Sequence, residues 1–377
     1  MKSLNKRFSL FVLLIIYANA AYAQGSVTLY GLMDAGVNYI SNDRGKANWT
    51  QTNGMVNGNR WGLKGAEDLG SGMKALFQLE NGFSGSGTLA QGGRLFGRYA
   101  WVGLSSDTYG MVTMGRQIDL TVEYIEPLSS LAFTGIAHPF DNDNMLNEVR
   151  LNNAIKYTSP NLGGFKFGAQ YAFSNSADGF AANRGWGLGA GYTRGPLALG
   201  VSYLHLNAPD SNTSGAVVGD YINENVTTTS ALQQNGLPSA VLREQVWAAG
   251  VNYQLSTVRL GFVYSHSMRN SAADTLKFDN YDVNVTYQIT SAFFLSGSYT
   301  FTDGKLDPIG AEPKYHQASL MFDYFLSKRT DVYLLSVYQH AAGAATIAAI
   351  APDAYGGTGR STSKNQTLIR LGLRHRF

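Results

Sequence analysis

Six carboxylates and one histidine fall in a single thirty-two-residue stretch, Ile118 to Val149. They are Asp119, Glu123, Glu126, Asp141, Asp143 and Glu148, with His138. Between them, Leu128 to Ile136 is small and apolar. The segments on either side carry Arg60, Arg98, Arg116 and Arg150, together with Lys64 and Lys156. A guanidinium stays charged at any working pH. Set opposite carboxylates across a gap, these groups break no bond. They create a transverse field that favours one sign of ion over the other. The basic side of such a gap is expected to be Arg60, Lys64, Arg98, Arg116 and Arg150, and the acidic side Asp119, Glu123, Glu126 and Asp141.

Bond-making chemistry finds less support. There is no cysteine, which excludes a thiolate metal site, a cysteine nucleophile and a disulfide scaffold. Asp141-Asn142-Asp143-Asn144 has the alternating oxygens of a calcium loop, but the glycine and the distal glutamate are missing, so a polar loop is the better reading. The six histidines are scattered and form no zinc motif. His316 and Asp323 have opposite parity on one predicted strand, so they cannot form a dyad. No cofactor, no metal and no catalytic residue is expected. An outer-membrane barrel hydrolase would need a serine or aspartate nucleophile beside a histidine, and none assembles. A secreted β-sandwich lectin and a substrate-specific channel also compete with a plain pore.

The elements that must hold the charges are strands. Thr367 to Phe377 alternates strictly: Ile369, Leu371, Leu373 and Phe377 on one face, Arg370, Gly372, Arg374 and Arg376 on the other. An apolar face toward lipid, arginines toward a wet lumen and an aromatic residue at the interface suit a barrel strand crossing a membrane. Sixteen such segments follow one another: 27–34, 59–67, 73–83, 98–104, 110–116, 150–158, 165–173, 185–193, 197–206, 244–255, 259–268, 277–289, 293–302, 315–325, 331–341 and 365–377. Short connections at 159–164, 195–196 and 326–330 alternate with long ones at 41–58, 118–149, 207–243 and 342–364. All nine prolines fall in the connections, as a closed ladder requires. The fold predicted is all-β: a transmembrane antiparallel β-barrel of sixteen strands. Its long loop at 118–149 folds into the lumen, because the apolar middle needs a wall to pack on. Phe377 is expected to close the barrel against the first strand.

Residues 1–23 read as a secretory leader. Lys2, Lys6 and Arg7 precede the short apolar run Phe8 to Ala18, and Ala21-Tyr22-Ala23 fits a cleavage site that leaves Gln24 first. Without the leader, 26 basic residues stand against 26 acidic, so no bulk charge argues for nucleic acid. Residues 24–377 form one barrel domain with no linker. No later run approaches the roughly 20 apolar residues of a helical span.

Specific stretches then carry a resemblance. Ser26-Val27-Thr28-Leu29-Tyr30-Gly31, Arg60 through Gly70 (RWGLKGAEDLG), Arg98 through Leu104 (RYAWVGL), Met114-Gly115-Arg116-Gln117, Ile155 through Pro160 (IKYTSP) and the Phe377 terminus are spread over the whole mature chain. Together they resemble Gram-negative general diffusion porins of the beta-proteobacterial type. The resemblance implies a trimeric sixteen-stranded outer-membrane barrel, with the third long loop in the lumen and a basic cluster at the constriction mapping onto Arg60, Arg98 and Arg150. A water-filled channel for passive diffusion of small hydrophilic solutes and ions follows, and the arginines Arg60, Arg98 and Arg150 predict a modest preference for anions. The resemblance also implies as partners outer-membrane lipid, lipopolysaccharide and the barrel assembly machinery that reads the terminal aromatic.

Overall fold

A computed structural model describes residues 25–147, 149–177, 179–209, 211–218, 241–272, 274–307, 310–350 and 359–377. The proposed leader 1–23 lies outside the described residues. Seventeen strand segments run in chain order: β1 Ser26–Asp43, β2 Lys46–Asn53, β3 Arg60–Gly70, β4 Met73–Gly82, β5 Tyr99–Ser106, β6 Gly110–Gln117, β7 Leu151–Thr158, β8 Phe165–Ala172 and β9 Arg184–Arg194. Then come β10 Leu197–Asn207, β11 Arg243–Leu255, β12 Val258–Asn270, β13 Thr275–Gln288, β14 Phe293–Asp307, β15 Pro313–Phe325, β16 Thr330–Gly343 and β17 Asn365–Arg376. β2 pairs with the second half of β1 and β3 with its first half, so they share one position and the antiparallel barrel has sixteen.

The barrel closes between β1 and β17, from Leu32 opposite Arg376 to Ile40 opposite Leu368. Phe377 completes the seam: its N–H donates to the Gly31 carbonyl at 3.1 Å, and Gly31 N–H donates back at 3.0 Å. A Cβ on Gly31 would meet the Phe377 ring, so this glycine makes room for the aromatic residue. Closure leaves no unpaired edge in lipid, where each orphaned backbone group costs several kcal/mol.

Period-two alternation sets the two faces, with the polarity of a soluble protein inverted. Val27, Leu29, Val37, Val283, Leu371 and Leu373 are exposed on the outside. Asp34, Asn38, Asn280, Asp282, Gln339 and Arg370 are buried on the inside.

Two connections differ from expectation. Residues 41–58 are not one long loop. β1 runs on to Asp43, turns tightly at Arg44 and Gly45, both with positive φ, and returns as β2. The sequence KANWTQTN hides this strand because Trp49 is its one large apolar side chain. The real break is 54–59, where the Asp34 carboxylate accepts from the N–H groups of Val56 (2.8 Å) and Asn57 (3.1 Å). Conversely, residues 83–98 form a long connection. Pro313 opens β15 instead of lying in a loop, a position where the missing N–H is tolerated.

The loop 118–149 lies inside the barrel. It holds helical turns at Leu120–Tyr124, Glu126–Leu128, Leu131–Thr134 and Pro139–Asp141. Ile125, Leu128 and Leu131 pack with Met145 and with Ala248 and Val263 of the wall. Ile136 joins Met55, Val56, Leu335 and Val337 on the far side. The wall beneath is stripped of side chains by glycine. A Cβ at Gly189 would sit 2.6 Å from the Tyr124 ring, and one at Gly168 3.0 Å from Leu120.

Polar anchors fix the loop to β12 and β13. Asp282 accepts from Ser130 N (2.9 Å) and Ser130 Oγ (2.6 Å). Asn284 donates to the Leu128 carbonyl at 3.1 Å. His138 Nδ1 lies 2.6 Å from Asp143, and its Nε2 lies 3.5 Å from Asp282. Burial works against a charge on His138, but the two aspartates outweigh it and lift its pKa to about 10. Ser265 donates to Asp143 and not to the imidazole, so this cluster contains no nucleophile–base pair.

Candidate pore constriction

β4 points Glu80 into the lumen. Its carboxylate accepts from Tyr30 Oη at 2.8 Å and from Arg98 Nε at 2.6 Å, and Gln78 donates to the Tyr30 oxygen at 2.6 Å. Arg60 opens β3, and its guanidinium donates to the Gly58 carbonyl at 3.1 Å. Arg60 is within electrostatic reach of Arg98 and Glu80 on the wall and of Glu126 on the loop. Around Tyr99, Arg98, Arg150 and Glu123 interact in the same way. Lys156, on β7, reaches Glu123 at 2.9 Å and the Ile118 carbonyl at 3.2 Å. The fold thus gathers Arg60, Arg98, Arg150, Glu123 and Glu126 where the loop crosses.

The charges there are unequally matched. Arg98 is paired by Glu80, and Lys156 by Glu123. Arg60 has no carboxylate in contact among the described residues; its hydrogen bond is to a backbone carbonyl. The carboxylate that faces it is Glu126. Burial pushes the Glu126 pKa up to about 7, while Arg60 draws it down. A carboxylate that is half neutral at neutral pH offsets Arg60 only in part, and the nearer charge of Glu80 is shared with Arg98.

The chain's match to a family model decides what kind of pore this is. The model describes the Gram-negative porin and matches residues 9–341. The chain belongs to the Gram-negative porins. This porin is 34% identical to an outer membrane porin protein of Bordetella pertussis, over 97% of this chain and 98% of that one. It is 28% identical to outer membrane porin protein 32 of Delftia acidovorans, over 98% and 99% of the two chains. Among solved structures it resembles an anion-selective porin from Comamonas acidovorans, with TM-score 0.75 and 25% identity, covering 94% of this chain and all of that one.

Several residues assigned to the gap from sequence stand elsewhere. Arg116 is 7% exposed and spans the Gly97 carbonyl (2.6 Å), Asn152 Oδ1 (2.7 Å) and the Arg150 carbonyl (3.3 Å), so it ties the ends of β5–β7 together. Arg150, by contrast, stays with the cluster at the gap, but it is set into the wall and only 2% exposed. Lys64 lies further down the wall, its Nζ 5.4 Å from the Tyr30 ring centre. Asp119 caps the first helical turn, accepting from Thr121 N at 2.6 Å and Asn144 at 2.7 Å. Asp141 is buried and accepts from Leu146 N at 2.9 Å. Asn142, Asp143 and Asn144 are likewise engaged within the loop and its anchors.

Arg98 reaches the lumen by a route parity does not give. In β5, Val102 and Leu104 face outward, and Tyr99 and Trp101 stand opposite Glu80 and Gln78 of the luminal face. Arg98 shares the outward parity, but it precedes the strand, where connection 83–98 turns in and Arg98 N–H meets the Glu80 carbonyl at 3.1 Å. Sequence reasoning misses Glu80, Tyr30, Asp282 and Asn284 as functional residues. Their signal is luminal parity: Asn280-Tyr281-Asp282-Val283-Asn284 alternates polar with apolar.

Proposed function

We propose that this porin conducts small hydrophilic solutes and ions passively as a homotrimer, with a modest preference for anions. The observation that carries the sign is the Arg60–Glu126 pair: a guanidinium in the lumen with a backbone carbonyl as its hydrogen-bond partner, facing a carboxylate that burial keeps partly neutral. The anion-selective description of the Comamonas acidovorans relative supports the same sign. Charge within a narrow gap acts over about 8–10 Å at physiological salt, so a few residues dominate a near-neutral chain. No bond is made or broken in this reading, and no cofactor takes part.

Residues 1–23 serve as the export leader, removed after Ala23, and the barrel assembly machinery then delivers the mature chain among outer-membrane lipid and lipopolysaccharide. Reversal potential under a potassium chloride gradient tests the selectivity. Wild type should favour chloride, and Arg60→Ser should shift the potential toward potassium, more at low salt than at high. A cation-selective wild type would overturn the sign. Amino-terminal sequencing of the outer-membrane form should return Gln24.

A further inference from the structure

Beneath the loop, on the side of the short turns, a cavity of about 610 Å³ opens between the loop and the inner wall of β8–β12. That is room enough for a small organic molecule. The loop side is apolar: Tyr124, Pro127 and Leu128 line it. On the wall, Gly191 lets the Tyr124 ring settle against the backbone at the edge of the cavity, since a Cβ there would come within 3.0 Å of it.

Two cations line the same cavity, Arg259 at the start of β12 and Lys166 at the start of β8. Neither has a carboxylate partner among the described residues. Arg259 Nη2 donates to Thr286 Oγ1 at 3.3 Å, and its Nε is buried with no acceptor. An N–H withdrawn from water and left unmatched is costly, and a guanidinium edge is shaped to receive a carboxylate in two parallel bonds. The acid on the lining, Glu123, is held by Lys156 at 2.9 Å. The cavity therefore combines unmatched positive charge with an aromatic and aliphatic roof.

We infer that this cavity is a second anion site of the pore, distinct from the constriction, for organic monoanions that join a carboxylate to a flat apolar body. The carboxylate binds the Arg259 edge, Lys166 adds attraction, and the body lies under Tyr124 and Leu128. Because the cavity is open to the lumen, binding is brief, as a transit site requires.

The test is block of chloride current through single trimers in a planar bilayer, with benzoate as probe and acetate as its control without an apolar body. Benzoate should produce brief, concentration-dependent interruptions, and acetate should not. Arg259→Gln should raise the half-blocking benzoate concentration about tenfold or more, the loss expected for one charge-assisted pair. Arg259→Lys should recover part of the block, and Lys166→Gln should weaken it less. Arg60→Ser should move the reversal potential yet leave benzoate block in place, which separates this site from the constriction. Equal block in wild type and Arg259→Gln would overturn the proposal, as would block by acetate at the same concentrations. If Arg259→Gln yields no trimer, unchanged block in Lys166→Gln together with Arg259→Lys overturns it equally.

Discussion

The sharpest consequence of the constriction is that its selectivity should titrate. Glu126 has a pKa of about 7 and faces Arg60, with Arg98 and Glu80 behind. By simple titration it is roughly one-tenth ionised a unit below that pKa and nine-tenths ionised a unit above. One charge about 6 Å from the ion path is worth about 0.7 kcal/mol at the dielectric of water and about 2.8 kcal/mol at an effective value of 20. At the lower value, acting with opposite sign on chloride and potassium and with about 0.8 of a charge gained, the ratio changes by about 1.1 kcal/mol, so the chloride-to-potassium permeability ratio should fall roughly sixfold between pH 6 and pH 8. The sign follows from the charge: neutral Glu126 adds nothing against Arg60 at low pH, and ionised Glu126 opposes it at high pH. His138 does not share this window, since its pKa is about 10. The assay is reversal potential at fixed low salt across that range. Glu126→Gln should flatten the profile and hold the anion preference at pH 8, and Arg60→Ser should lower the preference throughout. A pH profile in Glu126→Gln identical to wild type would refute the assignment of the titrating group.

Other changes should report on the framework. His138→Ala leaves Asp143 and Asp282 buried without their cation and should cost about 3–5 kcal/mol, read as a lower melting temperature and noisier current. His138 has its pKa raised above the ordinary 6.5, so its stabilisation is complete below that value and is lost as pH rises through about 10; wild-type current should grow noisy only on the alkaline side. Gly189→Leu collides with the Tyr124 ring and should displace the loop, raising single-channel conductance, whereas Gly297→Leu, on the outer face with its nearest atom at 3.7 Å, should not. Deleting Phe377 removes the last two bonds of the seam with Gly31 and should lower the yield of folded barrel while surviving channels conduct normally.

Much of this porin is legible in its sequence because a barrel strand has a short code. Alternation at period two fixes which residues of β17 face lipid and gives sixteen positions, and the apolar middle of 118–149 gives the inward loop. Even the closing aromatic can be named, since the seam needs only a first and a last strand. The code weakens wherever a segment leaves the ladder. β2 escapes it because the strand Lys46–Asn53 has almost no apolar face. Strand parity gives the wrong reason for a luminal Arg98, which arrives there because the chain bends before β5 begins. Arg116, near the end of β6, and Arg60, at the start of β3, are the same residue type. One is sealed among carbonyls and an amide, and the other stands in the lumen.

The acids of the loop divide in the same way. Asp119 and Asp141 are spent holding the loop's own backbone, and Glu123 and Glu126 reach the basic wall. Composition and spacing cannot distinguish them, because capping a helical turn and facing a pore both call for a carboxylate. Sequence alone determined that the chain is a barrel, which side of most strands is wet (β5 is the exception, with Val102 outside and Tyr99 inside), and that opposite charges crowd one stretch. Which of those charges are matched, and by what, was decided only when connection 83–98, the loop and segment 54–59 met inside the lumen. Pairing depends on contacts over a few ångströms between residues far apart in the chain, and strand periodicity does not encode such contacts.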